Sequence, residues 1–462
     1  MREFSSGLQV AEPDKPHFFY NKGYVLGISL IAAMGGLMFG FDLGVITGVI
    51  PFFKRQFHLD GFALGWVVAI FELGCMGGTF MTGWLADKLG RKKSLILTAI
   101  CLIATTIGVS LASSSFTLAL WRFLQGIGVG AASVLSPMYI AEIAPAEIRG
   151  KLVSVNQLTI ILGILLATYS CYYFGDPEIL DSWRWMFGSA LIPSSLFLLA
   201  LFIIPETPRW LVKTKADDKA EQVLNKIGDV HFADKTLAEI KRSLQESNHK
   251  GTYRELFKPA ILPILLVGLG LAVLQQFCGA NNITAYMQVI FEKANFSFKS
   301  GLVNAVFVML VFFVFTVVAI ALVDKMGRKV LMLTGTALMA LILFMLAWSF
   351  NRPDVDGRLV LALVIGYIAT FAFTLGPVVW VLLSEIFPNH IRSKALSLSA
   401  AVLWLATFVV VLVSPSLLRL SPVTNFVFFG VFNVVGFFFV WRYVPETKGK
   451  TLEELEKILT KR

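Results

Sequence analysis

Gly83-Trp84-Leu85-Ala86-Asp87-Lys88-Leu89-Gly90-Arg91-Lys92-Lys93 lies between two apolar runs, and a shortened copy, Asp324-Lys325-Met326-Gly327-Arg328-Lys329, lies between two more in the second half of the chain. A charged turn of form D-x-x-G-R-K cannot sit inside hydrocarbon, so each copy marks a tight connection between paired spanning helices on one membrane face. The copy implies a chain built from two repeats.

The duplication extends outward from these turns. Glu142-Ile143-Ala144-Pro145-Ala146-Glu147-Ile148-Arg149 is echoed by Glu385-Ile386-Phe387-Pro388-Asn389-His390-Ile391-Arg392, with Glu, Pro, Ile and Arg at the same spacing. Pro205-Glu206-Thr207 is echoed by Pro445-Glu446-Thr447. These pairs share a nearly constant offset and predict two parallel halves related by an axis along the membrane normal.

The composition agrees. With 56% hydrophobic and 15% charged residues, the chain is unlike a soluble globule, which carries about 25% charge. Apolar runs long enough to span a bilayer, about 20 residues each, fall near 24–50, 62–86, 94–113, 117–141, 151–174 and 185–204, then near 260–291, 301–323, 330–349, 359–385, 394–418 and 423–444. The predicted fold is an all-α polytopic membrane protein: twelve transmembrane helices in two pseudo-twofold-related six-helix bundles, with short cytoplasmic helices. The predicted divisions are an N-terminal tail (1–22), a six-helix bundle (23–204), a linker (205–259), a second bundle (260–444) and a C-terminal helix (445–462). In the linker, charge alternates with apolar residues at helical spacing, and Thr451 with Glu454 forms a capping-box pattern at the start of the tail helix.

The net charge is +10, but its distribution matters more than its sum and gives no reason to expect a nucleic-acid partner. Lys88, Arg91, Lys92, Lys93, Arg149, Lys151, Lys325, Arg328, Lys329, Arg392 and Lys394 fall in alternate loops. By the positive-inside rule those loops and both termini are cytoplasmic, in a plasma membrane that the character of the chain marks as bacterial. The first 22 residues lack the apolar core and cleavage site of a signal peptide. The cysteines are scattered singly without metal-ligand spacing, so no metal or cofactor is expected.

Taken together, G-x-x-x-D-x-x-G-R-K, Pro137-Met138-Tyr139-Ile140-Ala141-Glu142 running to Arg149-Gly150-Lys151, Pro205-Glu206-Thr207-Pro208-Arg209-Trp210, Gln275-Gln276 and Pro445-Glu446-Thr447-Lys448-Gly449 resemble the sugar porters of the major facilitator superfamily. The resemblance covers Tyr24 to Leu459 and is nearest to the bacterial xylose/proton and galactose/proton symporters. It implies a secondary active transporter, not an enzyme, that imports a monosaccharide with protons by alternating access and works as a monomer among membrane lipids. A facilitative uniporter and a non-transporting sugar receptor are the other functions this fold supports.

Asp42, in Phe39-Gly40-Phe41-Asp42-Leu43-Gly44, lies roughly 27 Å along the first helix from its cytoplasmic start. A carboxylate at that depth is costly unless it is paired or protonated. The resemblance places Asp at this position in proton-coupled members and sets Arg122 of the fourth helix opposite it. The pair admits two readings: proton binding that follows conformation, or a permanent ion pair that orients two helices. Glu72 in the second helix is a further intramembrane acid outside the family pattern. It reads either as a further protonatable group facing the cavity or as a protonated carboxyl satisfied by a neighbouring helix.

Near the midplane of the seventh helix stands Leu274-Gln275-Gln276-Phe277-Cys278-Gly279-Ala280-Asn281-Asn282. Neutral amides both donate and accept hydrogen bonds, as sugar hydroxyls do, and the Gly and Asn residues favour a discontinuous helix. The resemblance implies sugar contacts at Gln275, Gln276, Asn281, Gln157 and Asn304, with aromatic contacts from Trp380, after Gly376-Pro377, and Trp404. Ile164, Ala285, Ala372 and Leu403 depart from the more polar xylose-type pattern, which favours a hexose. The charges Asp87, Arg91, Glu142, Arg149, Glu206, Asp324, Arg328, Glu385, Arg392 and Glu446 are expected at helix ends, forming a cytoplasmic gate by pairing between the halves when the cytoplasmic side closes.

Overall fold

The structure is a computed structural model that describes residues 19–246, 253–259, 261–388 and 391–448. The expected helix over Thr451 to Leu459 with its capping box lies outside the described residues, as does most of the N-terminal tail. The first span is α1 (Lys22–Gln56), started by Asn21, whose side chain accepts the Tyr24 N–H at 3.0 Å. There follow α2 (Gly61–Leu89), α3 (Arg91–Ser110), α4 (Ser115–Ile143) and α5 (Ala146–Phe174), and a sixth span divided into α6 (Ser182–Gly188) and α7 (Leu191–Leu201). The linker forms α8 (Pro208–Lys213), α9 (Asp217–Ile227), α10 (Val230–Glu246) and a 3-10 turn, Tyr253–Phe257.

The second half opens with α11 (Leu262–Phe277), α12 (Ala280–Ala285) and α13 (Met287–Lys293), followed by α14 (Phe298–Met326) and α15 (Arg328–Phe350). Its tenth span is divided into α16 (Gly357–Phe373) and α17 (Leu375–Ile386), and α18 (Arg392–Leu420) and α19 (Pro422–Tyr443) close the bundle. Twelve helical segments among the described residues are long and apolar enough to cross a membrane. Their large apolar side chains on the outer surface, such as Phe80, Ile192 and Phe438, face what must be lipid, because spanning helices have no other use for a continuous apolar exterior.

The linker caps the first half. Asn21 N–H donates to the Ile227 carbonyl at 2.8 Å and Asp229 N–H to that of Phe19 at 3.0 Å, which fixes the start of α1 against the end of α9. Lys213 pairs with Asp87 at 3.0 Å. The face carrying the linker and both D-x-x-G-R-K turns is called the linker face below.

Glycines set the spacing inside the first half. Gly40 and Gly44 on α1 lie against α5 so closely that a Cβ on Gly40 would stand 1.7 Å from the Ile160 carbonyl oxygen, and one on Gly44 2.6 Å from that of Ile164. Gly74 of α2 meets α4 in the same way, 2.1 Å from the Phe123 oxygen. Small residues at such crossings let backbones approach where no hydrophobic effect drives helices together.

The halves join through α2 against α18 and α5 against α14. On the face opposite the linker, Arg419 bonds Asp60 across the halves at 2.7 Å, and Gly65 packs on the Leu412 carbonyl. Replacing Gly40 by Val is expected to destabilise the protein at or above the overpacking range of about 1–3 kcal/mol. Gly77→Ala, whose Cβ would meet nothing within 4 Å, should leave the thermal midpoint in detergent unchanged. Equal midpoints for the two variants would contradict this packing.

Candidate functional site

The packing of α1 against α4 brings Asp42 and Arg122 together in the sealed interior of the first half. Asp42 is 5% exposed and Arg122 1%. The Arg122 Nη1 donates to Asp42 Oδ1 at 2.9 Å and to Gln125 Oε1 at 3.2 Å, while the guanidinium lies 4.3 Å from the Phe71 ring centroid. The cation thus has an acid, an amide and an aromatic face around it, which is how a buried charge persists in apolar surroundings. Glu72, 4% exposed on α2, leaves its Oε2 without a hydrogen-bond partner.

The seventh span breaks where its sequence is weakest. Gly279 adopts φ +101, a left-handed conformation that favours glycine, and separates α11 from α12. The Cys278 carbonyl at the break accepts Tyr367 Oη at 2.8 Å and Asn433 Nδ2 at 2.8 Å. Three amides converge there: Gln276 Nε2 donates to Gln275 Oε1 at 3.4 Å, and Asn281 Nδ2 to Gln276 Oε1 at 2.5 Å. Gln275 in turn donates to the carbonyls of Leu375 and Gly376 at 3.2 and 3.0 Å. The fourth amide of the segment turns away, because Asn282 and Asn425 exchange two 3.0 Å bonds and satisfy each other.

The tenth span breaks at Thr374, three residues before Pro377, rather than at Gly376-Pro377 itself. The Pro377 ring crowds the carbonyl four residues back and supplies no N–H to it, so the disruption falls upstream. Trp380, on α17, is 45% exposed, and Trp404 is buried against Phe39 of the other half with ring centroids 5.6 Å apart. Asn304 on α14 has a buried Nδ2 without an acceptor, and Gln157 on α5 is half-buried. Neither has a described bond to the three amides. The Tyr286 hydroxyl is taken by the Val411 carbonyl at 2.9 Å.

The ten expected gate charges do not bridge the halves in the bonds described. In the first half, Arg91 Nη2 donates to Glu142 Oε1 at 2.8 Å, and Arg91 Nη1 lies 3.8 Å from Asp87. The backbone N–H groups of Arg91 and Lys92 donate to Glu206 at 2.9 and 3.1 Å. In the second half, Arg328 Nη2 donates to Glu385 at 3.2 Å, and the N–H groups of Arg328 and Lys329 donate to Glu446 at 3.0 and 3.1 Å. Thr207 and Thr447 complete the copies with hydroxyl bonds to Glu142 and Glu385 at 2.6 and 2.5 Å. Arg149 and Arg392 instead reach the carbonyls of Ala144 and Phe387 at 3.4 and 3.2 Å. The side chain of Asp324 lies outside the described residues.

In this arrangement the charges form two clamps, each closed within its own half, and the pairing between halves that is expected when the cytoplasmic side closes is not made in it. The physical reason is local. Each Pro-Glu-Thr segment delivers its carboxylate to the N-terminus of α3 or α15, where free N–H groups and the helix dipole hold it.

A protein-family model for sugar (and other) transporters matches residues 28–459. This chain belongs to that family, the sugar porters of the major facilitator superfamily. The sugar porter is 36% identical to the arabinose-proton symporter of Bacillus subtilis (strain 168), over 96% of each chain. It is 38% identical to the D-xylose-proton symporter of Escherichia coli (strain K12), over 95% of this chain and 96% of that protein. Among solved structures it resembles the inward-open conformation of the xylose transporter XylE from E. coli, with a TM-score of 0.83 and 37% identity over 94% of this chain and all of that one.

Several supporting groups of the sugar porter were not anticipated from sequence: Gln125 beside Arg122, Tyr367 and Asn433 on the broken carbonyl, and Asn425 paired with Asn282. A polar side chain in an apolar span is itself the signal, and Asn425 and Asn433 both stand in the apolar α19. The two clamps also differ. Burial raises the Glu206 carboxyl above its ordinary range against bonds from Thr207, Lys92 and Arg91. Glu446 is held below that range because, against the upward push of burial, the N–H groups of Lys448, Arg328, Lys329 and Thr447 bind its ionised form.

The sign follows by linkage. A depressed folded-state value stabilises the fold above the ordinary carboxylate range and is lost as pH falls; a raised value makes the ionised form costly, and protonation relieves the cost. Near pH 7, Glu446→Gln should therefore lower the thermal midpoint more than Glu206→Gln, and the difference should shrink on acidification toward about pH 4. Equal losses at neutral pH would contradict the assignment.

Proposed function

We propose that this sugar porter imports a monosaccharide by proton symport, with Asp42 as the group that takes and releases the proton and Arg122 as its counter-charge. The observation that carries the reading is one ion pair sealed in the interior of the first half, in the same molecule as a converging trio of neutral amides at a broken helix in the second. An ion pair so enclosed stays ionised while the guanidinium holds it and favours protonation when the two separate, so proton affinity follows conformation. Curated relatives named as arabinose-proton and D-xylose-proton symporters support the coupling.

Gln275, Gln276 and Asn281 take the sugar hydroxyls, with Asn304 and Gln157 contributing from α14 and α5. The half-exposed Trp380 offers an aromatic face to the C–H patches of the ring, and Trp404 closes the site against Phe39. The expected leaning toward a hexose, drawn from Ile164, Ala285, Ala372 and Leu403, gains no support from the relatives, two of which are named for pentoses and another as a glucose transport protein. The linker face is the cytoplasmic one, in a bacterial cytoplasmic membrane, and a single chain carries the whole site. The clamps hold each half together while the halves move relative to one another.

The test is uptake of labelled glucose, galactose, xylose, arabinose and inositol into proteoliposomes with and without an imposed pH gradient. One or more sugars should accumulate only with the gradient. Asp42→Asn should abolish accumulation while leaving sugar exchange, and Gln275→Ala or Asn281→Ala should raise KM about tenfold, the loss of one to two buried hydrogen bonds. Uptake that equilibrates but never accumulates under a gradient would make the protein a facilitator instead.

A further inference from the structure

The mechanism proposed above leaves one buried acid unused. Glu72 lies on α2 next to Phe71, whose ring the Arg122 guanidinium covers at 4.3 Å, and the charges of Arg122 and Asp42 both act on it. The ionisable groups facing it are Asp42 from α1, Arg122 from α4 and Tyr286 at the α12–α13 junction, with Cys75 on its own helix. One guanidinium is thus bonded to one acid and lies over the residue next to a second.

Two atoms in this cluster have no partner. Arg122 Nε is a buried donor without an acceptor, and Glu72 Oε2 a buried oxygen without a donor. Arg122 has committed its Nη1 to Asp42, so Glu72 lacks a cation of its own, and a carboxylate sealed from water without one is far costlier than a carboxylic acid. The vacant Nε shows that the guanidinium has bonding capacity left for a second acid.

We infer that Asp42 and Glu72 share one proton around Arg122, the ionised acid pairing with the guanidinium while the other holds the proton. In the arrangement seen here the proton is on Glu72. In the alternate arrangement the Glu72 O–H bond breaks and an O–H bond forms on Asp42, the negative charge passes from Asp42 to Glu72, and Arg122 changes partners. The net charge of the cluster is unchanged by the exchange, so it proceeds without burying an uncompensated ion. The cluster gains or loses its proton only when one of the two acids reaches water.

This inference rests on proton symport by the Asp42–Arg122 pair and is tested beside it. In proteoliposomes, wild-type protein must accumulate sugar under a pH gradient; if it does not, symport fails and the shared proton with it. Given that accumulation, Glu72→Gln should keep sugar exchange within about twofold while lowering accumulation by about tenfold or more, the signature of a lost protonatable group in the membrane. Accumulation equal to wild type would overturn the role of Glu72 and leave symport intact.

A second measurement serves if Glu72→Gln does not fold. The infrared C=O stretch of a protonated buried carboxyl, present in wild type when surface carboxylates are ionised, should weaken in Asp42→Asn, because Glu72 then ionises to hold Arg122. An unchanged band in that variant would also overturn the proposal.

Discussion

Hydrocarbon offers a polar group no hydrogen-bond partner, and nearly every feature of this chain answers to that constraint. Helices satisfy their own backbones. Where a helix breaks, at Gly279, the carbonyl at the break finds Tyr367 and Asn433. Where an amide has no task among the converging trio, as with Asn282, it finds another amide. A cation in the interior collects an acid, an amide and two phenyl rings.

The same constraint explains how much of the architecture was legible in the sequence. Spanning runs announce themselves by length, and D-x-x-G-R-K announces a turn because nothing else can hold those charges beside hydrocarbon. Internal repetition then supplied the symmetry, and the intramembrane Asp42 and Arg122 stood out as expensive residues. The break in the seventh span was readable from Gly279 and its neighbouring amides. Less legible was the direction in which each polar group turns, since that depends on helix rotation and on which neighbour arrives first. Gln275 meets the tenth span at Leu375 and Gly376, and Asn282 faces α19 rather than its sequence neighbours.

The charged residues on the linker face show the limit most clearly. Their symmetric placement is plain from the repeats, but a list of opposite charges does not say which of them meet. The deciding geometry is the return of each Pro-Glu-Thr segment to the helix following the turn. Gly90 and Gly327, at φ +88 and +90, let it come near: a Cβ would stand 2.3 Å from a Glu206 oxygen at the first and 2.9 Å from a Glu446 oxygen at the second. Exposed ion pairs contribute little singly, whereas carboxylates seated on free N–H groups at a helix start contribute more. In this arrangement the charges thus serve as a pair of internal clasps, one in each half.

One contact deep in the molecule joins the two halves differently. The Thr47 hydroxyl donates to the Thr284 carbonyl at 2.8 Å, linking α1 to the short α12. Thr47 lies five residues past Asp42 along α1, about 7.5 Å of helix rise, and Thr284 lies three residues past Asn281 in a segment already freed from α11 by the break at Gly279. The bond therefore ties α1, close to its buried acid, to the short helix that carries one of the converging amides. The same stretch of α1 thus serves the buried ion pair of one half and the broken span of the other.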